Sequence, residues 1–209
     1  MRGATAIVHI APAAGARFTQ YTVEFAAGSA VAPCAAQRFL YVLDGEVSAG
    51  GRSLSKGEFT YLPPHDPVEI QARSAARAAV IEKPYDPLPD IPAPSRFTAS
   101  ESDIPIQLLG GDPDLEVRTL LPGDLQFDFA VNTMVYQPGA SLPMVEIHVM
   151  EHGLLMLEGE GIYRLGNCWY PVTAGDFIWM APYCPQWFVA MGKQPARYLY
   201  YKDVNRPVL

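Results

Sequence analysis

Two histidines and a carboxylate lie close together in the last third of the chain, in the pattern Glu146-x-His148-x-x-x-His152. The chain has only four histidines, so two of them four residues apart form a local concentration. Neutral imidazoles and carboxylates are side chains that bind divalent transition metals. If Glu146 and His148 lie on one strand, they share a face and can reach the same ion. The alternative is that both histidines only pack or face solvent.

The elements that would position these residues occur twice in the chain, which is typical of an internal structural repeat. Residues 20–28, 39–45 and 57–68 resemble residues 132–139, 153–159 and 175–186, in the same order. Each block is a short apolar segment that ends in glycine or in a Pro-x-x-Pro turn. The sequence contains 20 prolines and 17 glycines and has no sustained apolar period of a helix. We therefore predict an all-β protein with an N-terminal unit at 1–88, a proline-rich linker at 89–111 and a C-terminal unit at 112–209.

The order of these motifs resembles the cupin family. The motifs are a glycine-ended strand, a hairpin of an acidic residue and glycine, and then Gly-(Asp/Glu)-x5-Pro-x-x-Pro. The resemblance implies a bicupin, two tandem jelly-roll β-barrels. It also implies that Gln186, which follows the second Pro-x-x-Pro turn, completes a metal site with Glu146, His148 and His152. Such a mixed nitrogen and oxygen set favours Mn2+, with Fe, Ni or Zn as alternatives.

The first repeat serves as an internal control for the metal prediction. When positions are counted back from Gly45 as they are from Gly159, Ala32, Cys34 and Arg38 fall where the second repeat has its first three ligands. Val68 falls at the position of Gln186. We therefore predict that the N-terminal barrel is metal-free and that His9 and His65 are structural or surface residues.

Longer stretches of the C-terminal half resemble the (S)-ureidoglycine aminohydrolase family. They are Glu146-x-His148-x-x-x-His152-Gly-Leu-Leu and the segments 158–166, 169–172, 178–187 and 200–206. The resemblance implies Mn-dependent hydrolytic deamination of (S)-ureidoglycine to (S)-ureidoglycolate and ammonia, in purine (allantoin) catabolism, by a homo-oligomer. It carries catalytic roles to three residues: Lys202 and Tyr198 from a Tyr-x-x-x-Lys motif, and Tyr163 from Gly-Ile-Tyr-Arg.

Lys202 could pair with the substrate carboxylate or move protons, whereas each tyrosine could instead be a packed core residue. By its parity Glu151 points away from the ligand face, and we expect it to be exposed or to lie behind the ligands. Two other functions stay open: a cupin dioxygenase of the quercetinase type, and a non-catalytic cupin that holds a small acid. The quercetinase type usually has three histidines and one glutamate, which differs from the set here.

Composition limits the partners and the compartment. The net charge is −7 and no run of Lys or Arg occurs, so we expect neither nucleic acid nor an anionic membrane as a partner. No apolar stretch is long enough to span a bilayer. The three cysteines are odd in number and widely spaced, which favours reduced thiols and a cytoplasmic location.

Overall fold

The structure is a computed structural model that describes residues 1–206. It is built almost entirely of strands, with three short 3-10 helices at Pro12–Ala14, Glu101–Asp103 and Leu109–Gly111. The all-β prediction is therefore confirmed. Contacts divide the chain into two compact units, Met1–Asp103 and Ile104–Leu209. Within residues 1–206, no helix has the length and apolar character that a membrane crossing requires.

The first unit contains nine strands in one sheet. They are β1 (Arg2–Ile10), β2 (Thr19–Val31), β3 (Gln37–Asp44), β4 (Glu46–Ala49), β5 (Arg52–Ser55), β6 (Glu58–Leu62), β7 (Ile70–Gln71), β8 (Ala76–Lys83) and β9 (Phe97–Ser100). Their order is β5-β4-β7-β2-β8-β3-β6-β9, with β1 paired to β2. Alternating side chains of β2, β3 and β8 form a buried core that includes Tyr21, Val23, Leu40 and Val80. Strand β9 lies inside the segment predicted as a linker, where it pairs antiparallel with β6.

Up to residue 206, the second unit contains nine strands in two sheets. They are β10 (Gln107–Leu108), β11 (Leu115–Thr119), β12 (Phe129–Tyr136), β13 (His152–Glu158), β14 (Glu160–Leu165), β15 (Cys168–Thr173), β16 (Phe177–Met180), β17 (Gln186–Met191) and β18 (Ala196–Asp203). The larger sheet has the order β10-β11-β12-β18-β13-β16 and the smaller one β15-β14-β17. Their inner faces share one apolar core, to which the large sheet contributes Met156 and Tyr198 and the small one Tyr163 and Phe188.

The acidic-glycine hairpins that revealed the sequence repeat have the same geometry in both units. Gly45 and Gly159 have φ values of 72° and 73°, which glycine adopts readily and other residues do not. A Cβ at Gly45 would lie 2.6 Å from the Ala75 carbonyl oxygen, and one at Gly159 would lie 2.4 Å from the Pro195 carbonyl oxygen. Both glycines are required where strands approach closely.

The segment that carries Glu146 and His148 differs from the sequence expectation. Residues 137–151 form no regular strand and have only two isolated bridges, Ser141 to Val189 and Glu146 to Gln186. The physical reason is local, because Pro138 and Pro143 lack the N–H that a β-ladder needs. The expected strand is therefore wrong, although the bridge at Glu146 still fixes the segment against β17.

Candidate metal centre

Cross-strand register places the cavity-facing residues of the large sheet. His152 pairs with Lys202 across β13 and β18, Leu154 with Tyr200, and Met156 with Tyr198. Directly opposed residues of an antiparallel pair lie on the same face. His152, Lys202, Tyr200 and Tyr198 therefore line one inner wall.

The opposite wall is formed by the small sheet and the irregular segment. The Glu146 amide donates to the Gln186 carbonyl oxygen at 2.8 Å, and the Gln186 amide donates back at 2.9 Å. This reciprocal pairing brings Glu146 and Gln186, which are 40 residues apart in sequence, to one site. The amide of Tyr183 donates to the His148 carbonyl oxygen at 2.7 Å and ties the next part of the segment down.

The ligand side chains predicted from the sequence lie next to one another. His148 Nε2 is 3.2 Å from a carboxylate oxygen of Glu146, and the rings of His148 and His152 have centroids 4.6 Å apart. Within residues 1–206, no group of three or more His, Cys, Asp and Glu side chains is arranged to hold a metal ion. Here the Glu146 carboxylate is directed at the His148 ring, and the fourth predicted ligand is an amide.

The tautomer of His152 follows from its hydrogen bond. Its Nδ1 lies 3.3 Å from the Met150 carbonyl oxygen, which can only accept, so Nδ1 carries the proton. Nε2 therefore keeps a lone pair, as a metal-binding imidazole must. Burial, with smaller contributions from His148 and Lys202, lowers the pKa of His152 to about 3. The ring is therefore neutral at physiological pH.

Gln186 is oriented by a buried tyrosine. The hydroxyl of Tyr163 donates to Gln186 Oε1 at 2.9 Å and lies 3.3 Å from the Met180 sulfur. Both side chains are almost fully buried, with exposures of 2% for Tyr163 and 4% for Gln186. Burial and the nearby Glu146 raise the pKa of Tyr163, so its hydroxyl stays a donor. Tyr163 thus contacts a predicted ligand directly.

Two further tyrosines of the same wall are held by residues that the sequence analysis missed. Tyr198 shares a 2.7 Å hydroxyl hydrogen bond with Tyr136 and lies 3.2 Å from the Met134 sulfur. Tyr200 bonds to the Asn132 side chain, and burial raises its pKa to about 12. Asn132, Met134 and Tyr136 alternate along β12. This shared parity is the feature of the sequence that could have placed them on one face.

These residues enclose a single cavity of about 120 Å³ in the second unit. All seven residues singled out from the sequence line it: Glu146, His148, His152, Gln186, Lys202, Tyr198 and Tyr163. Leucine and methionine side chains complete its walls. A small polar molecule bound there would contact these polar and charged groups between partly buried walls.

Glu151 was predicted either to be exposed or to lie behind the ligands. It is only 2% exposed, which excludes the first alternative. The reverse face of β13 is also buried, since Tyr201, opposite Gly153, is fully buried there. A Cβ at Gly153 would lie 2.2 Å from the Tyr201 ring, so glycine is needed at this contact.

The donor set suits a divalent cation. It offers two imidazoles, one carboxylate and one amide oxygen, and the imidazole of His152 has its lone pair available. Charge and hardness are intermediate between an all-oxygen and a sulfur-rich site, a combination that suits divalent first-row ions.

Comparisons with known proteins show the family to which the chain belongs. The cupin domain family matches residues 132–201. An (S)-ureidoglycine aminohydrolase of Arabidopsis thaliana is 40% identical over 204 residues, which cover 94% of this chain and 68% of that protein. The protein of the same name from Escherichia coli K12 is 33% identical over 179 residues, covering 82% and 68%. A Pseudomonas aeruginosa structure described as a glyoxylate-induced protein is 32% identical, with a TM-score of 0.89, and is matched over 100% of this chain and 83% of its own.

Proposed function

We propose that this chain has the activity for which its relatives are named, since it belongs to the (S)-ureidoglycine aminohydrolase family. In this proposal the protein hydrolyses (S)-ureidoglycine to (S)-ureidoglycolate and ammonia, as a step of purine catabolism. The observation that carries the proposal is the convergence of all seven predicted site residues on one small cavity. The relatives' shared name agrees with the hydrolytic chemistry that this cavity supports.

Glu146, His148, His152 and Gln186 would hold the ion, for which we propose Mn2+, one per chain. A bound divalent ion supplies Lewis-acid charge and open coordination positions for a chelating substrate. The chain's contribution is to orient two of the four donors before the ion arrives. Met150 sets the tautomer of His152, and Tyr163 sets the direction of the Gln186 amide.

In this proposal Lys202 is the cationic residue that binds the substrate. It lines the cavity and lies opposite His152 in the sheet, near enough to lower the pKa of that ring. The substrate carries a carboxylate, which a lysine ammonium binds through a charge-assisted hydrogen bond. Holding that carboxylate orients the carbon that bears the leaving amine, and Lys202 Nζ is a proton source for departing ammonia.

The tyrosines mainly maintain the shape of the cavity and present hydroxyl groups that donate hydrogen bonds. Tyr198 presents a hydroxyl that Tyr136 fixes, and burial raises its pKa well above the usual value, so it can donate but does not ionise. Tyr200 stacks beside His152, with ring centroids 6.4 Å apart, and is held by Asn132. The leucine and methionine side chains of the walls lower the local polarity, which strengthens the electrostatic contacts beside them.

The activity is tested by measuring ammonia while ureidoglycine is generated in situ from allantoate. Protein supplemented with Mn2+ should release ammonia well above the spontaneous rate. The matched control is His148→Ala, which should lose metal and activity together. Ammonia at only the spontaneous rate from folded, metal-loaded protein would overturn the aminohydrolase proposal, and oxygen uptake would point to a dioxygenase instead.

Two structural features belong to the same proposal. We propose that both units are cupin barrels in tandem, a bicupin in which only the second binds metal. We also propose that the protein assembles into a homo-oligomer. Sedimentation analysis tests the assembly, and a monomer at micromolar concentration would contradict it.

A further inference from the structure

The first unit carries an ion pair at the position that corresponds to the candidate metal centre. Arg38 pairs with Glu82 across β3 and β8, as His152 pairs with Lys202 across β13 and β18. Both strand pairs then have a register shift at the same place, Val42/Asp44 in the first unit and Met156/Glu158 in the second. The two sites are therefore aligned by backbone geometry as well as by sequence.

The Arg38 side chain reaches the first unit's equivalents of the metal ligands. Its Nε donates to Glu82 Oε1 at 2.7 Å, and its Nη1 donates to the Ala32 carbonyl oxygen at 3.1 Å. Cys34 Sγ lies 3.7 Å from the same Glu82 oxygen. Ala32 and Cys34 occupy the repeat positions of Glu146 and His148. The guanidinium thus lies among the positions from which the second unit would hold an ion.

Charge balance explains why a cation is required there. Arg38 is 4% exposed and Glu82 is 19% exposed, and a buried carboxylate without a partner is strongly unfavourable. The hydroxyl of Tyr21 also donates to Glu82 Oε1, at 2.7 Å. Burial alone would lower the pKa of Arg38, but Tyr21, Glu82 and Cys34 together raise it above its usual value. The guanidinium therefore stays charged.

We propose that the guanidinium of Arg38 is a built-in cation that takes the place of a metal ion in the first unit. Relative to the second unit, the permanent cation lies on the other strand of the pair: Arg38 stands at the His152 position, and the carboxylate of Glu82 stands at the Lys202 position. The remaining donors, Cys34, Glu82 and Tyr21, form a latent site for a thiophilic divalent cation of the Zn2+ or Co2+ class. The alignment of the two sites rests on the proposed ligand set of the second unit.

The first test replaces the built-in cation with a ligand and uses Co2+ as the probe. Arg38→His should bind one more equivalent of Co2+ than the wild type and show a thiolate-to-cobalt charge-transfer band, with release of the Cys34 proton. Adding Cys34→Ser should remove the band. None of the second unit's proposed ligands contains sulfur, so His148→Ala should leave the band intact. This separates failure here from failure of the proposed function.

A second variant keeps the proposal testable if Arg38→His does not fold. Arg38→Ala should melt at a lower temperature than the wild type, and millimolar methylguanidinium should raise its melting temperature but not that of the wild type. A thiolate band in the wild type would overturn the proposal. So would a folded Arg38→His protein without the extra equivalent, or an Arg38→Ala protein that methylguanidinium fails to stabilise.

Discussion

Removing the hydroxyl of Tyr163 distinguishes two roles for this residue, positioning a metal ligand and taking part directly in catalysis. Tyr163→Phe removes one oxygen and leaves the ring, which contacts Phe188 with centroids 5.6 Å apart. The lost contact is the 2.9 Å hydrogen bond to Gln186 Oε1. The Gln186 amide then loses the hydrogen bond that orients it toward the other donors.

The expected magnitude follows from that single bond. Leaving a buried acceptor without its donor destabilises a protein by roughly 1–3 kcal/mol, and the contact to the Met180 sulfur adds little. Loss of a group that orients a metal ligand weakens metal affinity by roughly 10–100-fold. We therefore expect a lower melting temperature, weaker Mn2+ binding, and a near-normal kcat when Mn2+ is saturating.

Isothermal titration of the metal-free protein with Mn2+, followed by ammonia release over a range of Mn2+ concentrations, measures both quantities. Gln186→Ala is the matched comparison, and combining it with Tyr163→Phe should add little further loss of affinity. Unchanged Mn2+ affinity in Tyr163→Phe would refute the positioning role. A kcat that stays about 100-fold low at saturating Mn2+ would instead assign the hydroxyl to catalysis.

Four other substitutions test separate parts of the proposed site. Lys202→Met should keep one metal equivalent, measured by elemental analysis, but lower kcat/KM by roughly 100-fold or more, and retained activity would exclude Lys202 from the reaction. Gly153→Ala should lower stability by about 1–3 kcal/mol in thermal unfolding, because the new Cβ would overlap the Tyr201 ring, and an unchanged melting temperature would contradict that overlap. Tyr136→Phe should change KM and kcat less than Tyr198→Phe does. It removes only the hydrogen bond that supports the Tyr198 hydroxyl, whereas Tyr198→Phe removes that hydroxyl itself.

Short-range patterns in the sequence predicted the parts of the site that depend on local spacing. The alternation of Tyr198, Tyr200 and Lys202 fixes which side chains share a face. The resemblance to the cupin family added Gln186, from a different hairpin, to the predicted site. Every one of these residues lines the cavity. Glu146 reaches it through its backbone pairing with Gln186 and not through strand parity.

Contacts between distant segments could not be read in the same way. The Arg38–Glu82 pair joins residues 44 positions apart, and nothing near Glu82 marks it as the counterpart of Lys202. The burial of Glu151 depends on what covers the reverse face of β13, which parity alone does not reveal. The irregular path of residues 137–151 reflects prolines, which interrupt a β-ladder even where the neighbouring residues alternate as in a strand.

The most direct test of the central claim is the metal content of the purified protein, measured on the same sample as ammonia release from in situ ureidoglycine. The account predicts one Mn2+ per chain after supplementation in the wild type, with activity that rises in proportion to bound metal. In His148→Ala both quantities should fall together. Full ammonia release from a sample that holds less than about a tenth of an equivalent of any divalent metal would contradict it.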